Sequence, residues 1–176
     1  GFTEQLLRMP KSHLCYMPQP NAPQPGPAPC RQNGSVTFGC FNNFMKITDE
    51  VLHAWRQILQ QVPGAKLLLK SSVFDDEAGK SAAQHRLESA GIANECVLIE
   101  RYTAEYLSSY QQIDIALDTW PYPGGGTTCD ALYMGVPVIT LAGQSHHERF
   151  GCSILENLQL GEWVATSIEE YIRKAV

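Results

Sequence analysis

A doubly wound α/β domain built on a parallel sheet is the fold class this sequence predicts, and three observations predict it. Apolar, β-rich runs alternate with segments of helical periodicity from residue 35 to the end. Those runs are continuously apolar rather than alternating, which marks strands covered on both faces. The 176 residues, 44% of them hydrophobic, are enough for one domain that buries roughly 70% of its unfolded surface.

The first strand is expected over residues 36–41. Thr48 then caps a helix: Asp49 and Glu50 fill its first turn, and Val51, Leu52, Trp55, Ile58 and Leu59 recur at helical spacing until Pro63-Gly64 stops it. Lys66–Lys70 (KLLLK) is the second strand. The acidic run Asp75-Asp76-Glu77 leads as a solvated loop into a helix over 77–90, with Gly91 as its C-terminal stop. A third strand is expected over 96–99, a third helix over 103–112 and a fourth strand over 113–117. The turn PYPGGG leads into a helix over 128–134, and Gly135-Val136 passes to a fifth strand over 137–141. A helix over 150–158, a short strand over 163–165 and a last helix complete the order.

Upstream, residues 17–33 (MPQPNAPQPGPAPCRQN) hold six of the eleven prolines and should run as an extended tether, neither helix nor sheet. The tether separates a short amphipathic piece over residues 2–8, which either docks on the main domain or is the tail of a preceding one. The chain thus divides into a tail and linker, 1–33, and an α/β lobe, 34–176.

Thirteen Lys+Arg against eighteen Asp+Glu give a net charge of −5, the wrong sign for a non-specific nucleic-acid binder. No apolar run approaches the roughly eighteen residues of a membrane span, and no signal-peptide pattern opens the chain. The six cysteines (15, 30, 40, 96, 129, 152) show no CxxC spacing, and Cys40, Cys96 and Cys152 sit in apolar segments. Reduced, core-filling thiols in a cytoplasmic protein are expected rather than a disulfide framework.

Ligands of open parallel sheets bind at the carboxyl ends of the strands. The loops there carry Asn42, Asn43 and Lys46 after strand one, Glu100-Arg101-Tyr102 after strand three, DTWPYPGGGTTCD after strand four and AGQSHHER after strand five. In Gly124-Gly125-Gly126-Thr127-Thr128-Cys129-Asp130, glycines admit close approach of backbone N–H groups, and the helix behind them aims its dipole at the same spot. Asp130 lies one turn after Thr127 and can accept from ribose hydroxyls. The run is either a phosphate cradle or a turn whose Thr127 or Thr128 caps a helix. It lacks the Gly-Lys-Ser/Thr of a Walker loop, and Cys129 stands where GxGxxG needs glycine. Lys46, just past a buried strand, is either a solvated lysine or the local cation for an anionic ligand. His146-His147-Glu148 lacks metal-site spacing, and no metal is expected.

The segments FGCFNNFMKIT, IALDTWPYPGGGTTCDALYMGVPVITLAG and ERFGCSILENL together resemble the second catalytic lobe of the O-linked N-acetylglucosamine transferase family, most closely its bacterial, SPINDLY-like members. Residues 1–16 resemble the segment that leaves the first catalytic half in that family. The resemblance implies a GT-B glycosyltransferase of two Rossmann-like lobes, of which this chain is the second, transferring N-acetylglucosamine or a related sugar from a UDP-sugar to Ser/Thr of proteins. It further implies that Lys46 neutralises the diphosphate and assists departure of UDP. By the same resemblance Asn43 is the polar partner three residues before it, and Gly124, Gly125, Gly126, Thr127 and Thr128 hold the diphosphate. Asp130 then binds the ribose, and Tyr106 stacks on the base. Neither cofactor nor metal is implied beyond the donor itself. Acceptor recognition falls to an amino-terminal lobe and a tetratricopeptide array, so the isolated lobe is expected to be inactive. Gly125 stands where animal members carry a histidine, and neutral Thr103, Tyr106 and Ser109 replace their basic uracil-reading residues. Two alternatives remain open: a GT-B lobe for another nucleotide sugar, and a non-catalytic interaction module.

Overall fold

The computed structural model describes residues 3–5, 7, 10–12 and 14–176. Its strands are β1 (Thr37–Cys40), β2 (Lys66–Lys70), β3 (Val97–Glu100), β4 (Ile115–Leu117), β5 (Val138–Leu141) and β6 (Val164–Ala165). All neighbours are parallel, in the order β3-β2-β1-β4-β5-β6. Phe38 of β1 is in register with Leu67 of β2 and Ile115 of β4. The winding reverses between β1 and β4, which places a ligand crevice at the carboxyl ends of those two strands.

Strand β2 shows why the runs had to be continuously apolar. Side chains alternate faces along a strand. Leu67 and Leu69 enter one core with Phe38, Val51, Leu52, Trp55 and Ile58. Leu68, between them, enters a second core with Leu107, Tyr110, Ile113, Ala131 and Met134. Each such leucine contributes about 1.5–3 kcal/mol of burial.

The covering helices start where local chemistry starts them. Helix α1 is the single turn Cys30–Asn33. Helix α2 (Asp49–Gln61) is capped by the Thr48 hydroxyl, which accepts from the Val51 N–H at 3.3 Å. Helix α3 (Glu77–Ser89) is capped by Asp76, which accepts from the Gly79 N–H at 2.8 Å. Gly64 and Gly91 end the turns after α2 and α3 at φ +77° and +78°, which a side chain rarely tolerates. Helices α4 (Gly126–Tyr133), α5 (Phe150–Asn157) and α6 (Ile168–Ala175) follow. Tyr171 of α6 joins the layers: its hydroxyl accepts from the Trp55 indole at 3.2 Å and donates to the Asp118 carbonyl at 2.9 Å, just past β4.

Four expectations need correction. The Pro-rich stretch is not wholly extended, because α1 forms at its end, led in by Pro29 and closed by Gly34 at φ +71°. The Asp114 carboxylate fixes that turn to the sheet, accepting from the Cys30 N–H at 2.9 Å and the Thr37 N–H at 2.8 Å. The third helix is a 3₁₀ segment over Tyr106–Gln112, where the Ser108 hydroxyl donates back to the Glu105 carbonyl and competes with regular helix. Helix α4 begins at Gly126 rather than Thr128, its first intrahelical bond running from Cys129 N–H to the Gly125 carbonyl. All six cysteines are free thiols, but only Cys40 and Cys152 fill core; Cys30, Cys96 and Cys129 are half-buried and Cys15 is exposed.

In the amphipathic piece over 2–8, residues Phe2, Leu6 and Arg8 lie outside the described residues. Among the described residues no helix is long and apolar enough to cross a membrane.

Candidate functional site

A cleft of about 330 Å³ lies at the carboxyl edge of the sheet, lined by Phe41, Asn42, Asn43, Lys46, Lys70, Tyr102, Tyr106, Gly125, Gly126, Thr127 and Asp130. Seven of the nine residues expected from the sequence border it. Gly124 and Thr128 lie behind: Thr128 is buried and lines a separate void of about 20 Å³, the size of one water, under the sheet edge.

Lys46 ends a 3₁₀ turn, Phe44–Lys46, that follows β1. Buried Phe44 anchors the turn, and its N–H donates to the Ser71 hydroxyl at 3.2 Å. The Asn43 amide oxygen caps the same turn, accepting from the Met45 N–H at 3.0 Å, so Asn43 borders the cleft while shaping the loop that carries Lys46. Among the described residues Lys46 has no ion-pair partner, and its charge is available to the cleft.

The N-terminus of α4 borders the same cleft. Unlike α2, α3 and α6, it has no side-chain cap, so among the described residues its first N–H groups remain open. Among the described residues a Cβ on Gly126 would meet nothing within 4 Å, and one on Gly125 only Leu14 Cδ1 at 3.4 Å. Gly124 is different: a Cβ there would sit 2.7 Å from the Thr128 hydroxyl and 3.0 Å from Asn42 Oδ1. The three glycines thus serve two ends, internal packing at 124 and an open approach at 125 and 126.

The loop is held by a residue that was not singled out from the sequence. Asp118, buried just past β4, accepts at Oδ1 from the Gly124 N–H (2.7 Å), the Thr119 N–H (2.9 Å) and Asn42 Nδ2 (3.0 Å), and at Oδ2 from the Thr140 hydroxyl (2.8 Å). Burial pushes its carboxyl above the ordinary value, against the pull of its bonds to Gly124, Thr140, Thr119 and Asn42. Asn42, also buried, passes the network on by accepting from the Thr127 hydroxyl. The Thr127 hydroxyl therefore orders the site from within, while its helix-start backbone faces the cleft. A polar pair closing two apolar strands at the switch point, Asn42 and Asp118, was the available signal.

Asp130 sits one turn into α4, only 6% exposed. Its Oδ1 accepts from the Tyr16 hydroxyl at 2.7 Å and its Oδ2 from the Tyr106 hydroxyl at 2.9 Å. Burial, then the hydrogen bond to Asp130, pushes both tyrosine hydroxyls above their ordinary value, so they remain donors. The Tyr106 ring stacks on Tyr102, centroids 5.3 Å apart and 25° between planes, and half-exposed Tyr102 marks the mouth. Lys70, 4% exposed at the end of β2, pairs with Glu100 at 3.1 Å in the cleft wall. Tyr102 was placed on this edge from the sequence but given no role, and Lys70 was missed because it reads as the end of a strand.

The His146-His147-Glu148 run is spent on its own turn. The Glu148 carboxylate accepts from the Ser145 N–H at 2.7 Å and the Gln144 N–H at 2.9 Å, and these bonds, Ser145's foremost, hold its carboxyl below the ordinary value. His147 stacks on Tyr122. Among the described residues no three His, Cys, Asp or Glu side chains are grouped as a metal would need.

Residues 30–176 match the model of glycosyl transferase family 41. The chain is 40% identical over 98% of its length to the probable UDP-N-acetylglucosamine–peptide N-acetylglucosaminyltransferase SPINDLY of Arabidopsis thaliana, and spans 19% of that protein. It is 30% identical over 81% of its length to the UDP-N-acetylglucosamine–peptide N-acetylglucosaminyltransferase of Caenorhabditis elegans, and spans 12% of it. Among solved structures, a mutant O-GlcNAc transferase from Thermobaculum terrenum superposes with a TM-score of 0.82 and 39% identity, over 90% of this chain and 30% of that one. The family resemblance and the Rossmann-like, GT-B fold class read from the sequence are both borne out.

Proposed function

The chain belongs to glycosyl transferase family 41, and on that premise we propose that it is the donor-binding lobe of a protein O-glycosyltransferase, holding a UDP-sugar for transfer to Ser/Thr hydroxyls. One observation carries this reading: Lys46, which has no ion-pair partner among the described residues, and the uncapped N-terminus of α4 border one cleft at the switch point of the sheet. A diphosphate is the ligand that fits. Its oxygens would accept from the backbone donors of α4 and from the Lys46 ammonium, both favouring negative charge. Asp130 would accept from ribose hydroxyls, and the Tyr102–Tyr106 pair would face the base.

In the transfer, the acceptor hydroxyl oxygen attacks the anomeric carbon as the bond from that carbon to the diphosphate breaks, and the hydroxyl proton passes to a phosphate oxygen of the donor or to solvent. The electron pair leaves with the diphosphate, and the Lys46 charge meets it there. Divalent metal is not required in this scheme, because the lysine and the helix dipole supply the countercharge. In this reading the acceptor would be bound by an amino-terminal lobe and a tetratricopeptide array, as the family resemblance implies, in a cytoplasmic enzyme, and the lobe alone would bind donor without turning it over. The N-acetylglucosamine donor is proposed on the printed names of the relatives.

The test is thermal unfolding with UDP, GDP and ADP in turn. A nucleotide at 100 times its dissociation constant should stabilise the fold by about 2.7 kcal/mol. Stabilisation by UDP supports the proposal. A response to GDP or ADP instead moves the lobe to another donor, and no response to any of the three makes it a non-catalytic interaction module.

A further inference from the structure

We propose that Tyr16, on the segment preceding the family-matched region, is a positioning residue of the donor site: its hydroxyl fixes the Asp130 carboxylate for a ribose in the cleft. This rests on the reading of Asp130 as the ribose acceptor. The two tyrosines that bond Asp130 border different cavities. Tyr106 lines the cleft together with Asp130. Tyr16 does not; it lines an apolar groove of about 370 Å³ with Leu14, Cys129, Leu132, Tyr133 and Leu158. Its hydroxyl therefore reaches Oδ1, at 2.7 Å, from the side away from the ligand.

That geometry leaves the carboxylate competent. Each carboxylate oxygen accepts about two hydrogen bonds, so Oδ1 keeps capacity toward the cleft after taking Tyr16. The Tyr16 ring packs against Tyr133, centroids 6.3 Å apart, which holds the hydroxyl in place without occupying the site. The segment outside residues 30–176 thus completes the donor site.

Tyr16→Phe keeps the ring and removes the one atom that matters. The probes are UDP and 2′,3′-dideoxy-UDP, titrated by calorimetry into both proteins. The native chain should prefer UDP by about tenfold, and Tyr16→Phe should lose most of that preference while binding the dideoxy compound as before. Equal preference in both proteins overturns the role of Tyr16 and leaves the ribose reading intact. No preference in the native chain overturns the ribose reading and this inference with it. Because coupling is reciprocal, the native chain offers a second measurement that needs no variant. UDP should slow amide exchange at residues 14–17 more than dideoxy-UDP does, and equal protection by the two overturns the proposal.

Discussion

Replacing Asp118 by alanine should destabilise the lobe severely, whereas asparagine should be tolerated. Alanine removes the acceptor of four donors and strands two of them outright, the Gly124 and Thr119 N–H groups. The Asn42 amide keeps the Thr119 hydroxyl as an acceptor at 3.0 Å, and the Thr140 hydroxyl can rotate to another. A buried donor left unpaired costs about 1–3 kcal/mol, and removing a buried charge gives part of that back. A net loss of about 3–5 kcal/mol is expected, a large share of the roughly 5–15 kcal/mol by which domains are stable. Asparagine can keep its carbonyl at the Oδ1 position, where three of the four donors converge, and present its amide to the Thr140 hydroxyl. Its cost should stay near about 1 kcal/mol. The two variants also differ from the native chain in pH dependence. Burial raises the Asp118 carboxyl above its ordinary 3.8, so its contribution to stability is full below that value and is lost as pH rises through the raised one. The stability of the native chain relative to Asp118→Asn should therefore fall as pH rises from below 3.8, then level off. Urea unfolding followed by fluorescence of the buried Trp55, repeated across acid and neutral pH, measures both effects. Asparagine as damaging as alanine would refute the argument, because the charge rather than the acceptor geometry would then hold the loop.

Lys46→Ala should weaken UDP by roughly ten- to a hundredfold, the value of one charge-assisted hydrogen bond, and leave uridine untouched; calorimetry with both ligands decides it, and equal weakening would indicate a distorted cleft. Gly126→Ala should leave stability within about 1 kcal/mol, since among the described residues its Cβ meets nothing within 4 Å, yet weaken UDP by filling the approach to α4. Gly124→Ala should instead destabilise by about 1–3 kcal/mol, because its Cβ would sit 2.7 Å from the Thr128 hydroxyl; denaturation and UDP titration of the two variants separate packing from binding. UDP affinity should be little changed by EDTA, and a large loss on chelation would show that a divalent cation shares the diphosphate.

The parts of the fold that were legible in the sequence are those set within a few residues. Thr48 caps α2 three residues away, Gly64 and Gly91 stop turns in place, and the all-apolar KLLLK run reports burial on two faces directly. Lys46 was legible for the same reason, as a charge set close behind a buried strand. What escaped is built from partners far apart in the chain. Asn42 meets Asp118 across 76 positions and Tyr16 meets Asp130 across 114, and neither pairing has a local signature. Thr127 and Thr128 show the limit at close range: adjacent and identical, they are separated by about 100° of helix phase, so that both border the void under the sheet edge but only Thr127 also bonds Asn42 and borders the cleft.

The long-range network also explains how α4 can offer a ligand its donors. A helix start must be placed, and α2, α3 and α6 are placed by their own capping side chains, Thr48, Asp76 and Ser167, which consume an N–H in doing so. Helix α4 is placed from outside itself. Asp118 grips the Gly124 N–H two residues before the helix, Asn42 takes the Thr127 hydroxyl, and the Tyr110 hydroxyl donates to the Thr127 carbonyl at 3.1 Å. These contacts fix position and direction without using the first-turn N–H groups. The Asp118 carboxyl is thus buried at a cost while those groups stay open, and in the proposed reading they are left for the diphosphate of the donor.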